Sequence, residues 1–494
     1  MNHAGPKGLD GLDARDYRVA TAALAGLAAV LLAYPLIRSF WDFEIDINEG
    51  WNAYHAVLAM AGRSLYVHDS PYYFNNYPPL SFYIVGALGR LLGDPVLAGR
   101  LLSVVAVGVI GWAAGDVVRS AGGSRTDARL AMATCLLQFA AFATDYIGMD
   151  DPQLLGQAFL MAGLAAYMRG AETAGRGALV AALFSAGLLV KHNMIALPLL
   201  VAADLARRGP NRARAGFFAT GLGLAGLAAG GILLLVGKTF FTQLLASRTW
   251  SVERAFIFTT EITGRLHAPL LVATLGLLWT RRNRPAGLVL AWLAAALALG
   301  VFFAGGGGTD INIWFDVSIA LAIGTGLAAK AVGERLGPQR TKLAVALVAN
   351  AGVLLYAPLC LGRFGVEVAG EMNEREALFK AETEYVRSIP GPALCESQLL
   401  CYRAGKPAFW DSFNAYQAML HGRIPADTLT AMIERHELAV VQISDPPPLD
   451  DFPGQRSLPE RFPHYPDAVF AALAREYVLD RVGVSGRFWR PRQR

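Results

Sequence analysis

The chain has 494 residues, of which 54% are hydrophobic and 17% charged, and a formal net charge of +5; its mean hydropathy is +0.37. So few polar side chains cannot clothe a water-soluble particle of this size, which makes lipid part of its solvent. The basic residues fall in short clusters between apolar runs, a membrane-topology pattern that excludes a nucleic-acid-binding stripe.

Residues 1 to 18 are mixed and polar, and the apolar run Val19 to Ile37 follows with no small-residue cleavage site at its end. This reads as an uncleaved first span. Directly after it comes DFEIDINEGWNAYHA, with Asp42, Glu44, Asp46 and Glu49 close together. Helical spacing from Asp46 puts Glu49 on the same face, and two carboxylates aimed at one spot can supply a general base or hold a divalent cation, Mg or Mn. A solvated acidic loop accounts for the same residues. The stretch 41–99 is rich in Trp and Tyr, is broken by Pro78 and Pro79, and predicts helices lying on the membrane surface.

Apolar stretches centre near residues 28, 108, 137, 160, 184, 200, 226, 273, 295, 322 and 350, which predicts about eleven spans. Arg119, Arg125 and Arg129, then Arg169 and Arg176, Arg207 to Arg214, Arg281 to Arg284, and Lys330 to Lys342 fall in alternate connections, cytoplasmic by the positive-inside rule. The opposite loops carry the first acidic cluster, then Asp145, Asp150 and Asp151, the stretch 238–265, and Asp310 and Asp316. An odd number of spans places residues 362–494 on that outer face. There Cys395 and Cys401 either form a disulfide or remain thiols. Strand-like runs at Ala393 to Cys395 and Leu438 to Ile443, a helical pattern over Ala426 to Glu437 and Pro-rich loops predict a small α/β soluble domain over 362–494, after a membrane domain over 1–361.

Asp150 and Asp151 precede Pro152, which fits an ordinary helix cap as well as a second acidic site at the depth of the first. Lys191, His192 and Asn193 interrupt two apolar runs and must lie at an interface or line a cavity. A snorkelling lysine is one reading; a cation for an anionic headgroup, with His192 beside it and Arg100 as a weaker partner, is the other. Gly305 to Gly308, followed by Asp310, Asn312 and Asp316, reads as a flexible outer connection.

The order of these features resembles the GT-C glycosyltransferases, in particular the branch of protein O-mannosyltransferases and lipid A aminoarabinose transferases. The likeness is carried by the acidic motif after the first span, then Asn76, Tyr77, Pro78 and Pro79, a surface helix ending at Gly93, and Gly99-Arg100 opening a span. Asp151-Pro152, the Lys191 segment and the segment from Asn312 to Asp316 continue it. The resemblance implies an α-helical polytopic bacterial inner-membrane enzyme that passes a sugar from a polyprenyl-phosphate donor to a lipid, polysaccharide or protein acceptor on the periplasmic side, with no nucleic-acid partner. Asp46 or Glu49 would be the base; Lys191, with His192 and Arg100, would hold the donor phosphate; Asn76, Tyr77 and Asp316 would line the donor or acceptor site. Two positions depart from the family pattern: Asn48 stands where an Asp precedes the motif's Glu, and Tyr77 stands where a Lys precedes the Pro pair. A transporter or flippase of a lipid-linked sugar is the alternative, although neither repeated halves nor mid-membrane ionisable residues are evident.

Overall fold

A computed structural model describes residues 7–336, 339–444 and 464–493. Helix α1 (Lys7–Arg38) leads into the first loop, which folds as α2 (Asn48–Met60) and α3 (Leu80–Leu92) before α4 (Pro95–Ser120). Next come α5 (Arg125–Phe142), α6 (Pro152–Met168), α7 (Ala174–Val190), α8 (Ala196–Arg208) and α9 (Asn211–Leu235). The short α10 (Thr239–Leu244) precedes α11 (Val252–Thr280), α12 (Arg284–Ala304) and α13 (Phe315–Leu336). Finally α14 (Gln339–Ala349) and α15 (Ala351–Val366) meet at Asn350, and α15 runs on through a π-helical turn into α16 (Met372–Ser388).

The sequence marks most of these starts. Ser124 and Asp127 form a reciprocal capping box on α5, and Asp94 and Asp151 cap α4 and α6 with Pro in the first turn. Among the described residues, seven helices are long and apolar enough to cross a bilayer. The other four expected centres fall on α5 to α8, which have 18, 17, 17 and 13 residues. At 1.5 Å per residue α8 covers only about 20 Å, so the apolar run there is shorter than a full crossing. The bundle core gathers around Phe139, Trp292, Trp314 and Phe315.

The boundary expected at residue 361 falls inside a continuous helix. The apolar run ends there, but the segment Glu367 to Ser388 has no proline and the backbone hydrogen bonding continues. Beyond it lie β1 (Ala393–Cys395), α17 (Gln398–Arg403), α18 (Ser412–Leu420), α19 (Thr428–Glu434), β2 (Val440–Ile443), α20 (Asp467–Glu476), β3 (Tyr477–Gly483) and β4 (Gly486–Pro491). The strands form one sheet in the order β1-β2-β4-β3, with β1 parallel to β2 and the other pairs antiparallel. The expected Pro-rich loops fall mostly on 445–463, outside the described residues.

The first loop is sandwiched rather than merely laid on a surface. Trp51, Ala53, His55 and Ala56 of α2 are all buried, and α17 approaches so closely that a Cβ on Gly50 would lie 2.0 Å from the Leu399 nitrogen. Nor is the glycine run a loose connection. Ser251 N donates to Gly305 O at 2.9 Å and Gly307 N to Thr249 O at 2.8 Å, tying it to the segment before α11.

Candidate active site at the acidic loop

Asp46 and Glu49 have different partners. Helix α2 begins only at Asn48, so Asp46 precedes it and helical spacing does not apply. Glu49 is fully buried and forms a two-pronged ion pair with Arg100, Nε to Oε1 and Nη2 to Oε2, both 2.7 Å. Its oxygens also accept the Ile45 and Asp150 amides at 2.8 and 3.1 Å. Arg100 spends its remaining reach on the carbonyls of Trp41 and Phe43, at 2.5 and 2.6 Å. The pair expected to supply a base and a phosphate ligand therefore fastens the acidic loop to α4.

Asp46 is arranged differently. Its Oδ1 accepts from the Asn48 backbone and side-chain nitrogens at 2.9 and 2.6 Å, an Asx turn that aims the carboxylate. Among the described residues no lysine or arginine pairs with it. Burial, reinforced by the carboxylates of Asp310, Asp151 and Glu49, pushes its pKa up to about 7. Asp310 keeps an open surface, although burial raises its carboxyl too, and accepts the Tyr146 hydroxyl at 3.2 Å. Open surface amid crowding protein describes the wall of a recess.

Asp151 does cap α6, accepting the Gln153 amide at 2.7 Å. It also lies 3.5 Å from Lys191 Nζ. Asp150 turns the other way: a Cβ on Gly99 would come within 1.9 Å of its Oδ1, and its Oδ2 is buried with no hydrogen-bond partner among the described residues. Burial next to Glu49 and Asp151 pushes the Asp150 carboxyl well above the ordinary range.

Lys191 is buried at the end of α7, 3.5 Å from the Tyr77 hydroxyl and 4.6 Å from that ring's centroid. Burial opposes its charge, but Asp151 and Tyr77 more than offset that and raise its pKa. His192 is pushed down to about 4 by burial and by Lys191 and Arg248, so it is neutral, with its Nδ1 unpartnered among the described residues. Asn193 Oδ1 and Asn75 Nδ2 are buried without partners there too. Buried polar atoms normally find partners, so these three remain available as donors or acceptors to a polar group.

Arg248 belongs to this group, and nothing within the stretch 238–265 singles it out in the sequence. It lies over the Phe413 ring, and its two hydrogen bonds, to Gly307 O and Asn414 Oδ1, are both 3.4 Å. A lone arginine in a loop carries no local signature; only folding brings it to His192 and Tyr77. Asn76 is partly exposed, while its neighbour Asn75 is the buried one. Asp316 accepts from Gln157 at 2.6 Å and has no carboxylate of the recess among its neighbours in the described residues. No group of three or more His, Cys, Asp or Glu among the described residues is arranged to hold a metal ion.

Neither a protein-family model nor a curated protein sequence matches the chain. Solved structures do. ArnT from Cupriavidus metallidurans, in the apo state and bound to undecaprenyl phosphate, superposes with a TM-score of 0.60 at 14% identity, covering 95% of this chain and 98% of that one. The Archaeoglobus fulgidus oligosaccharyltransferase in the apo form gives 0.56 at 12% identity, covering 86% of this chain and 69% of that one. AglB from the same organism, in complex with an inhibitory peptide and a dolichol-phosphate, gives 0.54 at 10% identity over the same shares. The acidic loop, the α6 and α7 ends and the segment beyond α16 thus sit on a known scaffold: the chain has the fold of ArnT and of the Archaeoglobus fulgidus oligosaccharyltransferase.

Proposed function

We propose that the protein is a membrane glycosyltransferase that moves a sugar from a polyprenyl-phosphate donor to a cell-envelope acceptor, lipid, polysaccharide or protein. The observation that carries this reading is the pairing of opposites across one recess. A carboxylate with a pKa of about 7 and no cationic partner among the described residues, Asp46, shares the recess with Asp151, whose partner Lys191 leads by way of Tyr77 to Arg248. Both cations have donors to spare, since their polar contacts are 3.4 to 3.5 Å long. The fold shared with ArnT bound to undecaprenyl phosphate supports the choice of a lipid-phosphate donor.

In this mechanism Asp46 takes the proton from the acceptor's nucleophile as that atom attacks the anomeric carbon. The bond from that carbon to the phosphate oxygen breaks on the opposite face, and the configuration inverts. Lys191 and Arg248 stabilise the charge that collects on the departing lipid phosphate, and the Tyr77 hydroxyl and His192 complete its ligands. Glu49 and Arg100 hold the loop in place. The acids would face the periplasm of a bacterial inner membrane, with the described residues beyond α16 as an α/β part on that side, where the Cys395–Cys401 disulfide would persist.

Purified protein given labelled polyprenyl-phosphate sugars and envelope acceptors should transfer label. Full transfer by Asp46→Asn would rule out Asp46 as the base. A chelator added to the same assay reads metal dependence directly.

A further inference from the structure

Glu44 takes no part in the chemistry just described, yet with Asp42 it fastens the acidic motif to the C-terminal segment. Its Oε1 accepts the Leu399 amide at 3.0 Å. Leu399 lies inside the ring closed by the Cys395–Cys401 disulfide, whose Cα atoms are 5.8 Å apart. That ring is anchored on both sides. Toward the sheet, Ser397 N donates to Gln442 Oε1 at 2.9 Å and Glu396 meets His464 at 2.5 Å. Toward the first loop, Gln398 Oε1 accepts the Tyr73 hydroxyl at 2.9 Å, and the ring's backbone reaches Gly50 so closely that only glycine fits there. Just past the ring, Arg403 pairs with Asp42 at 2.9 Å and with Asp94 at 2.7 Å.

The closed ring limits how far the first turn of α17 can unwind, and so confines the Leu399 amide. Glu44 is two residues from Asp46, and the Asx turn that aims Asp46 follows directly. We propose that the Cys395–Cys401 ring is a positioning element for the base loop, acting through Glu44, so that transfer requires the oxidised pair. This rests on the reading of Asp46 as base. Reduction by a dithiol delivers two electrons and two protons and leaves two thiols; the ring then opens and the clamp on Glu44 loosens.

The test uses the full-length protein in detergent, comparing oxidised, dithiothreitol-treated and Cys395→Ser/Cys401→Ser forms, with thiol titration to confirm each state. Amide hydrogen exchange over residues 42–60 should rise when the ring is open, while peptides from α13 stay protected. The rate constant kcat should fall by about tenfold or more, as expected for a misplaced catalytic group, with KM for the lipid donor little changed. The acid limb of the pH profile should also move down toward the ordinary carboxylate range, because Asp46 would be less enclosed by Glu44, Glu49, Asp151, Asp310 and Tyr146. Glu44→Ala should behave like the opened ring, and Glu44→Gln, which keeps an acceptor for Leu399, should recover most of the lost rate. Unchanged exchange over 42–60 and an unchanged acid limb in the opened ring overturn the proposal. A rise in exchange in a protein whose oxidised form transfers no sugar overturns the catalytic role and the Asp46 reading together, while leaving the clamp as structure.

Discussion

Two carboxylates three residues apart have opposite fates, and the difference is a matter of partners. Glu49 meets a guanidinium in a buried, two-pronged pair; Asp46 meets only the nitrogens of Asn48. Breaking a buried pair by removing one partner strands the other charge, so Arg100→Met should destabilise the protein by about 3–5 kcal/mol, read by thermal unfolding in detergent. For Asp46 the expectation concerns rate. A base must be ionised, and burial raises this one to about 7; activity should therefore climb as pH rises through about 7 and be low where the carboxyl is protonated. Lys191→Ala and Arg248→Ala should each weaken binding of the lipid phosphate, measured as a raised KM or a lost shift in donor titration; Lys191→Ala should also lower stability, because it strands the buried Asp151 carboxylate. The sequence showed acids at one depth and a cation at Lys191 because both break apolar runs. It hid the different partners of Asp46 and Glu49, since the start of α2 at Asn48, not at Asp46, has no marker in the helix pattern. Arg248 was invisible for the complementary reason: its placement depends on Phe413 and Gly307, far away in sequence.

At the scale of elements, α2 is the part on which the site turns, pressed between α4 and α17. Its contact with α17 depends on Gly50, where any side chain would collide with the Leu399 and Gln398 backbone. Gly50→Ala should push α17 away and lower stability by about 1–3 kcal/mol, with faster exchange at the Leu399 amide as the specific sign. The other side of α2 carries a buried aromatic box in which His55 and His68 stand with ring centroids 5.2 Å apart. Burial lowers them to about 3 and about 4, so the folded state holds both neutral while an unfolded chain binds protons near pH 6.5. Stability of the first loop should accordingly fall as pH drops from about 6.5 toward 4, and a His55→Phe variant should lose part of that dependence. Aromatic richness predicted an interfacial loop; it could not reveal that a C-terminal element covers it, because the contact is made through backbone and glycine, which leave no apolar stripe to read.

For the whole molecule, charge alternation along the chain was the most informative signal. The loops it assigned to one face do meet: Asn52 reaches Asp150, Tyr146 reaches Asp310, and Leu399 reaches Glu44. Of the eleven expected spans, seven coincide with helices long and apolar enough to cross among the described residues, while α5 to α8 have 18, 17, 17 and 13 residues and the last apolar run continues as one helix into the C-terminal segment. Everything proposed for this face depends on Asp46 serving as the base of a transfer reaction. Single-turnover transfer from a labelled polyprenyl-phosphate sugar by wild-type and Asp46→Asn protein, alongside donor binding by each, decides it. The wild type should transfer, Asp46→Asn should lose about 100-fold or more in rate, and the two should bind donor equally. Equal transfer rates in the two proteins would remove Asp46 from the reaction and the proposed mechanism with it.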